Sequence, residues 1–124
     1  MYKKIIAVLV FATVLCLPFV VGAATWERSF EFKVALNSPD YNLKSGSVSV
    51  RTFNKSNPGW KQGSPTVFYI TLMDKNGKSY GMKTQDRFSA ATSSWSVPSS
   101  GTYYFRWTKA NDNSTLIGRA TITN

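Results

Sequence analysis

Glu27 and Glu31 are the carboxylates nearest each other along the chain, and two acids are the smallest set that could do general acid–base chemistry. On one extended strand they share a face about 13 Å apart at the ordinary rise per residue. A glycosidase pair needs a separation of roughly 5 to 9.5 Å. Asp40, Asp74, Asp86 and Asp112 mostly fall in turn clusters, where an aspartate hydrogen-bonds backbone. There is no histidine, and the single cysteine, Cys16, sits in an apolar run near the start. The usual nucleophile–base arrangements and His/Cys metal sets are therefore missing. Asp74-Lys75-Asn76-Gly77 lacks the later acid of a calcium loop. These residues describe a non-enzymatic protein with no metal and no cofactor.

The remaining chemistry is aromatic and cationic. Trp60 lies in a polar stretch, residues 54–62, flanked by Lys55 and Lys61. An indole placed there either stacks on a sugar or enters a membrane interface, or folds back over the edge of the fold as a plug. In SSGTYYFRWTK, residues 99–109, Tyr103, Phe105 and Trp107 share one face of a strand, and Tyr104, Arg106 and Thr108 the other. The first face is core, because a sheet needs large apolar area to overcome chain entropy. The second, if Arg119 and Thr121 of the last strand lie beside it, is a cationic and partly aromatic outer surface suited to an anionic or glycan ligand. Arg51 joins it only if its strand belongs to the same sheet. Trp60, Lys55, Lys61, Tyr104, Arg106 and Arg119 are the candidate ligand-binding residues.

The elements that must position them begin after residues 1–24. Lys3 and Lys4, an apolar run over residues 5–21 and the small residues Gly22, Ala23 and Ala24 form a secretory signal peptide, with cleavage expected near Ala23 or Ala24. The run approaches the length of a bilayer span, but Pro18 ahead of small residues favours removal over anchoring. The whole chain carries a formal +9, and loss of Lys3 and Lys4 leaves thirteen cations against six carboxylates, or +7. A secreted domain of that size without cysteine depends on its core alone and points to a bacterial exporter. Its surplus charge favours anionic cell-surface polymers, glycans, membrane headgroups or an extracellular protein, with no specific nucleic-acid signal.

Residues 25–124 form one domain with a period of two almost throughout. Trp26, Phe30, Phe32, Val34 and Leu36 alternate with Glu27, Ser29, Glu31 and Lys33, and Arg28 is the one misfit. Val48, Val50 and Thr52 alternate with Ser47, Ser49 and Arg51, while residues 66–73 are apolar on both sides, as in a strand covered on both faces. Asn76-Gly77 marks a hairpin between residues 66–73 and 79–84. About seven short strands separated by turn clusters predict an all-β, single antiparallel sandwich.

Ser100-Gly101-Thr102-Tyr103-Tyr104-Phe105 resembles the start of strand F in immunoglobulin-like domains, where a tyrosine precedes an inward cysteine by two residues. Phe105 stands in the cysteine's place. The resemblance implies an immunoglobulin-like plan without a disulfide, with the Tyr103 hydroxyl closing a corner onto upstream backbone. Two function classes fit these features. One is a small secreted basic module that binds an anionic cell-envelope, polysaccharide or protein partner. The other is a secreted antagonistic protein, bacteriocin-like or toxic, acting on competitor cells.

Overall fold

A computed structural model describes residues 23–124, so the expected leader lies outside the described residues except for Ala23 and Ala24. The described residues hold nine strands: β1 (Thr25–Phe32), β2 (Ala35–Asn37), β3 (Tyr41–Leu43), β4 (Gly46–Ser56), β5 (Val67–Asp74), β6 (Ser79–Asp86), β7 (Ala91–Val97), β8 (Gly101–Thr108) and β9 (Leu116–Thr123). Two antiparallel sheets pack into a sandwich. One has the order β1-β9-β4-β7, the other β2-β8-β5-β6 with β3 also on β8.

Part of the excess over seven strands has a local cause. β2 and β3 pair with opposite ends of β8, Ala35 with Thr108 and Tyr41 with Tyr103. Between them Ser38 keeps contact with Phe105, donating its N–H to the Phe105 carbonyl and accepting the Phe105 N–H on its Oγ, both at 2.8 Å. They are one edge strand interrupted at Pro39, which has no N–H to contribute.

The alternation works as expected in β4 and β8: Val48, Val50 and Thr52 are buried from one, Tyr103, Phe105 and Trp107 from the other. Trp107 stacks on Phe30 of the facing sheet at 4.7 Å and on Phe68 at 6.0 Å. Trp95 and Tyr41 lie against Phe105 at 5.5 and 5.9 Å. Each such pair adds about 0.5 to 1.5 kcal/mol beyond its area burial. Gly118 makes room for this packing: a Cβ there would stand 2.6 Å from the Phe30 ring. Gln85 bridges the sheets, its amide donating to the Val50 carbonyl at 3.2 Å and the Ser93 hydroxyl at 3.0 Å.

The corner predicted from the immunoglobulin-like resemblance is present, with the Tyr103 hydroxyl donating to the Ser99 carbonyl at 2.7 Å. The Asn76-Gly77 hairpin joins β5 to β6, and only Gly77 takes a positive φ, 84°. Two expectations are corrected. Phe68, Ile70 and Leu72 of β5 are fully buried, but Tyr69, Thr71 and Met73 on its other side are half-buried, because a two-layer sandwich covers one face of each sheet. The last strand also departs from an immunoglobulin plan, in which it would lie beside the strand before it. β9 instead crosses over and inserts between β1 and β4.

Phe105→Ala is expected to cost about 3 to 5 kcal/mol, as for a buried aromatic. Tyr103→Phe, which removes only the corner bond, should cost about 1 to 2 kcal/mol. Urea unfolding of both variants against the parent measures each value.

Candidate functional site

At one end of the sandwich, three connections meet. Asn54, at a φ of 51°, accompanies a register shift between Phe53 and Ser56 that ends regular pairing of β4 with β9. Lys55 lies across the core there, its amine 5.2 Å from the Phe68 ring centroid and its stem over Gly118. Its Nζ donates to the carbonyls of Asp86 and Ser89, both at 2.6 Å. Burial lowers the Lys55 pKa to about 8, against the pull of the nearby Asp86 carboxylate. Asp86 caps the turn after β6: its Oδ1 accepts the N–H of Phe88 at 2.6 Å and of Ser89 at 3.1 Å. Those bonds hold its carboxyl below the usual range.

Beneath that turn is a buried ionic cluster. The side chains of Arg87 and Lys109 are fully buried, and Asp112 bridges them at 2.9 Å to each. Arg87 also donates from Nε to Asn57 Oδ1 at 2.8 Å, from Nη1 to the Pro65 carbonyl at 3.3 Å and from Nη2 to Ser114 Oγ at 2.6 Å. Ser114 gives its hydroxyl to Asp112 in turn. These bonds, with that from Ser114 first, hold the Asp112 carboxyl well below the ordinary carboxylate value. No buried side-chain N or O among the described residues lacks a partner. Each buried polar atom of the cluster finds its partner within the protein, and those bonds tie the loop after β4, the turn after β6 and the loop before β9 into one unit.

Trp60 rests on that unit. Its Nε1 donates to the Pro65 carbonyl at 3.0 Å, and its ring meets Phe88 edge-on at 4.9 Å. The loop carrying it is held by Thr115 N–H on the Pro58 carbonyl at 2.9 Å. Gly59, at a φ of 84°, passes so close to Asn113 that a Cβ would stand 3.0 Å from its carbonyl oxygen. Trp60 is thus neither free nor wholly a plug: the indole is half-buried, and Phe88 beside it is 47% exposed. Lys61 is exposed next to it. The structure therefore gathers Trp60 and Lys55 around the Asp86–Ser89 turn, with Lys61 adjacent to Trp60 in the chain.

The other candidates are separated. Tyr104 and Arg106 lie on the outer face of the β8 sheet, where Tyr104 is in register with Met73, and Arg106 with Thr71 and Asn37. Arg119 is on the opposite sheet, in register with Ser29 and Phe53 and 4.0 Å from Glu27. The expected joint surface of Tyr104, Arg106, Arg119 and Thr121 does not form, because β9 joins the other sheet. Arg51 belongs with Arg119, directly opposite Thr121, and its guanidinium lies 5.1 Å from the Phe53 ring centroid.

Phe88, Arg87, Lys109 and Asp112 were not among the sequence candidates. The available signal was parity: Lys109 continues the inward series Tyr103, Phe105, Trp107, and Arg87 follows buried Gln85 by two. A cation on an inward position needs a partner, and Asp112 stands three residues after Lys109.

No family model matches the chain, and no curated protein matches it in sequence. Among solved structures it is similar to PliG, a periplasmic inhibitor of g-type lysozyme from Aeromonas hydrophila, at 12% identity and a TM-score of 0.48, covering 82% of this chain and 84% of that one. It is also similar to a Bacillus endospore appendage protein from a family of disulfide-linked pili, at 11% identity and a TM-score of 0.43 over 82% and 86% of the two chains. The prophage-derived protein YomS matches at 8% identity and a TM-score of 0.40 over 82% and 96%.

Asp112→Asn is expected to lower stability by about 3 to 5 kcal/mol, since it leaves two buried cations uncompensated. The folded-state pKa of Asp112 lies below its ordinary 3.8. Its contribution is therefore fully present above that pH and is lost as pH falls below it. The parent should lose stability on acidification through this range, and the variant should lose less over the same interval, measured as urea midpoints from pH 5 downward.

Proposed function

We propose that the protein is a secreted, non-enzymatic binding module that attaches to an anionic polysaccharide of the cell envelope or extracellular matrix. The observation that carries this reading is the Trp60–Phe88 pair: two aromatic rings at the surface, one of them 47% exposed, fixed on a cluster whose own polar groups are all satisfied. Such a platform has lost its conformational freedom before a ligand arrives, so stacking a sugar ring on it costs little further entropy. Lys61 beside it supplies a local cation.

Charge supplies the approach. The thirteen cations and six carboxylates after residue 24 are spread over both sheets and the loops, giving a broad positive field with no single basic cleft. Attraction from such a field is long-ranged and screened by salt, while aromatic stacking is short-ranged and largely indifferent to it. The leader pattern expected over residues 1–24 supports a site of action outside the cytoplasm.

Adsorption of the mature domain to immobilised polygalacturonate is expected to fall several-fold between about 0.02 and 0.5 M salt, where the screening length shrinks to a few ångströms. Trp60→Ala should abolish what remains at high salt. Arg106→Ser and Arg119→Ser, on opposite sheets, should each give only a small loss confined to low salt. Adsorption that ignores both salt and Trp60 contradicts the reading, as does killing of competitor cells without adsorption.

A further inference from the structure

Arg28 breaks the alternation of β1, standing on the same parity as buried Phe30 and Phe32. Its surroundings explain what it does there. β1 and β2 are edge strands of opposite sheets, and along the seam between them the sandwich is open. A slot of ≈ 180 Å³ enters the core at this seam, its walls made chiefly by Phe30, Leu36, Tyr41, Trp107, Ala120 and Ile122. No acidic residue lines it. Arg28 is exposed at its rim, with Nε donating to the Tyr41 hydroxyl at 3.1 Å and Nη1 to the Glu27 carbonyl at 3.4 Å. Its Nη2 has no protein acceptor and the guanidinium pairs with no carboxylate among the described residues. The acid next to it in sequence, Glu27, is on the other side of the strand, 4.0 Å from Arg119.

Two properties select an occupant. A wall of aromatic and aliphatic carbon gives water few hydrogen-bond partners, and an apolar cavity of about 150 Å³ in another protein stays dry and takes up benzene. This slot is of that order and admits one ring. At the mouth, the Tyr41 hydroxyl holds the guanidinium through Nε and the Glu27 carbonyl takes Nη1 at 3.4 Å, which leaves Nη2 without a protein acceptor and available to a carboxylate. We propose that the slot binds a small aromatic carboxylate, its ring against Phe30, Leu36 and Trp107 and its carboxylate on Arg28. The site is independent of the Trp60–Phe88 platform, which is built from different loops.

The test titrates 3-phenylpropanoate, and in parallel its uncharged amide, into the protein while NMR signals of the Trp107 and Tyr41 side chains are followed. The acid should shift both in a saturable way and bind about tenfold or more tightly than the amide. Arg28→Gln, a change at an exposed side chain, should remove that advantage and leave amide binding as it was. Ala120→Leu, which fills the slot from β9, should abolish binding of both, with the unfolding midpoint confirming that the variant is folded. Absence of saturable shifts at Trp107 overturns the proposal, as does acid binding that is unchanged in Arg28→Gln. If Ala120→Leu fails to fold, the Arg28→Gln comparison decides alone.

Discussion

One carboxylate held between two buried cations governs the loop end of this molecule. Taking Arg87 and Lys109 out of water costs several kcal/mol per ion unless each finds a partner, and Asp112 serves both. One acid cannot neutralise two cations, so neutral acceptors supply the rest: Asn57, the Pro65 carbonyl and Ser114 around Arg87, and the Ala110 carbonyl and Ser114 around Lys109. Because these acceptors come from the β4–β5 and β8–β9 connections while Arg87 comes from the β6–β7 turn, the cluster fixes three loops that would otherwise move independently. The surface position of Trp60 and Phe88 follows from it.

The rest of the fold distributes its tasks differently. Apolar packing around Trp107 and Phe105 holds the sheets face to face, and the Gln85 bridge fixes them at one edge. The outer faces carry scattered cations, Arg106 on one sheet and Arg51 and Arg119 on the other. A positive field of this kind would concentrate an anionic polymer near the protein without choosing an orientation. On the proposed function, a local aromatic contact would then select the pose. The seam between β1 and β2 holds an apolar slot, and it is also where the one misplaced cation of β1 stands.

Strand parity was legible because a side chain in a sheet has only two directions to take. It placed Val48, Val50, Phe105 and Trp107 inside. The corner at Tyr103 was implied by the immunoglobulin-like resemblance, and the structure closes it onto the Ser99 carbonyl. Parity cannot say which strand lies beside which. β9 alternates equally well in either sheet, so the separation of Arg119 from Arg106 could not be read from residue order. The same limit hid the site. Asn57, Arg87 and Asp112 lie in three loops far apart in sequence, and each looks like an ordinary solvated polar residue until the sandwich brings them together. Phe88 gave no signal, since its value lies in contact with an indole 28 residues away.

The central claim is that the Trp60–Phe88 platform is the contact surface for an anionic glycan. The most direct measurement is chemical-shift mapping of the isotopically labelled protein on addition of short oligogalacturonates at physiological salt. The account predicts that the largest saturable shifts fall on the Trp60 Nε1–H, the Phe88 ring and Lys61, with Tyr104, Arg106 and Arg119 nearly unmoved. Shifts centred on either outer sheet face, or none at saturating glycan, would contradict it.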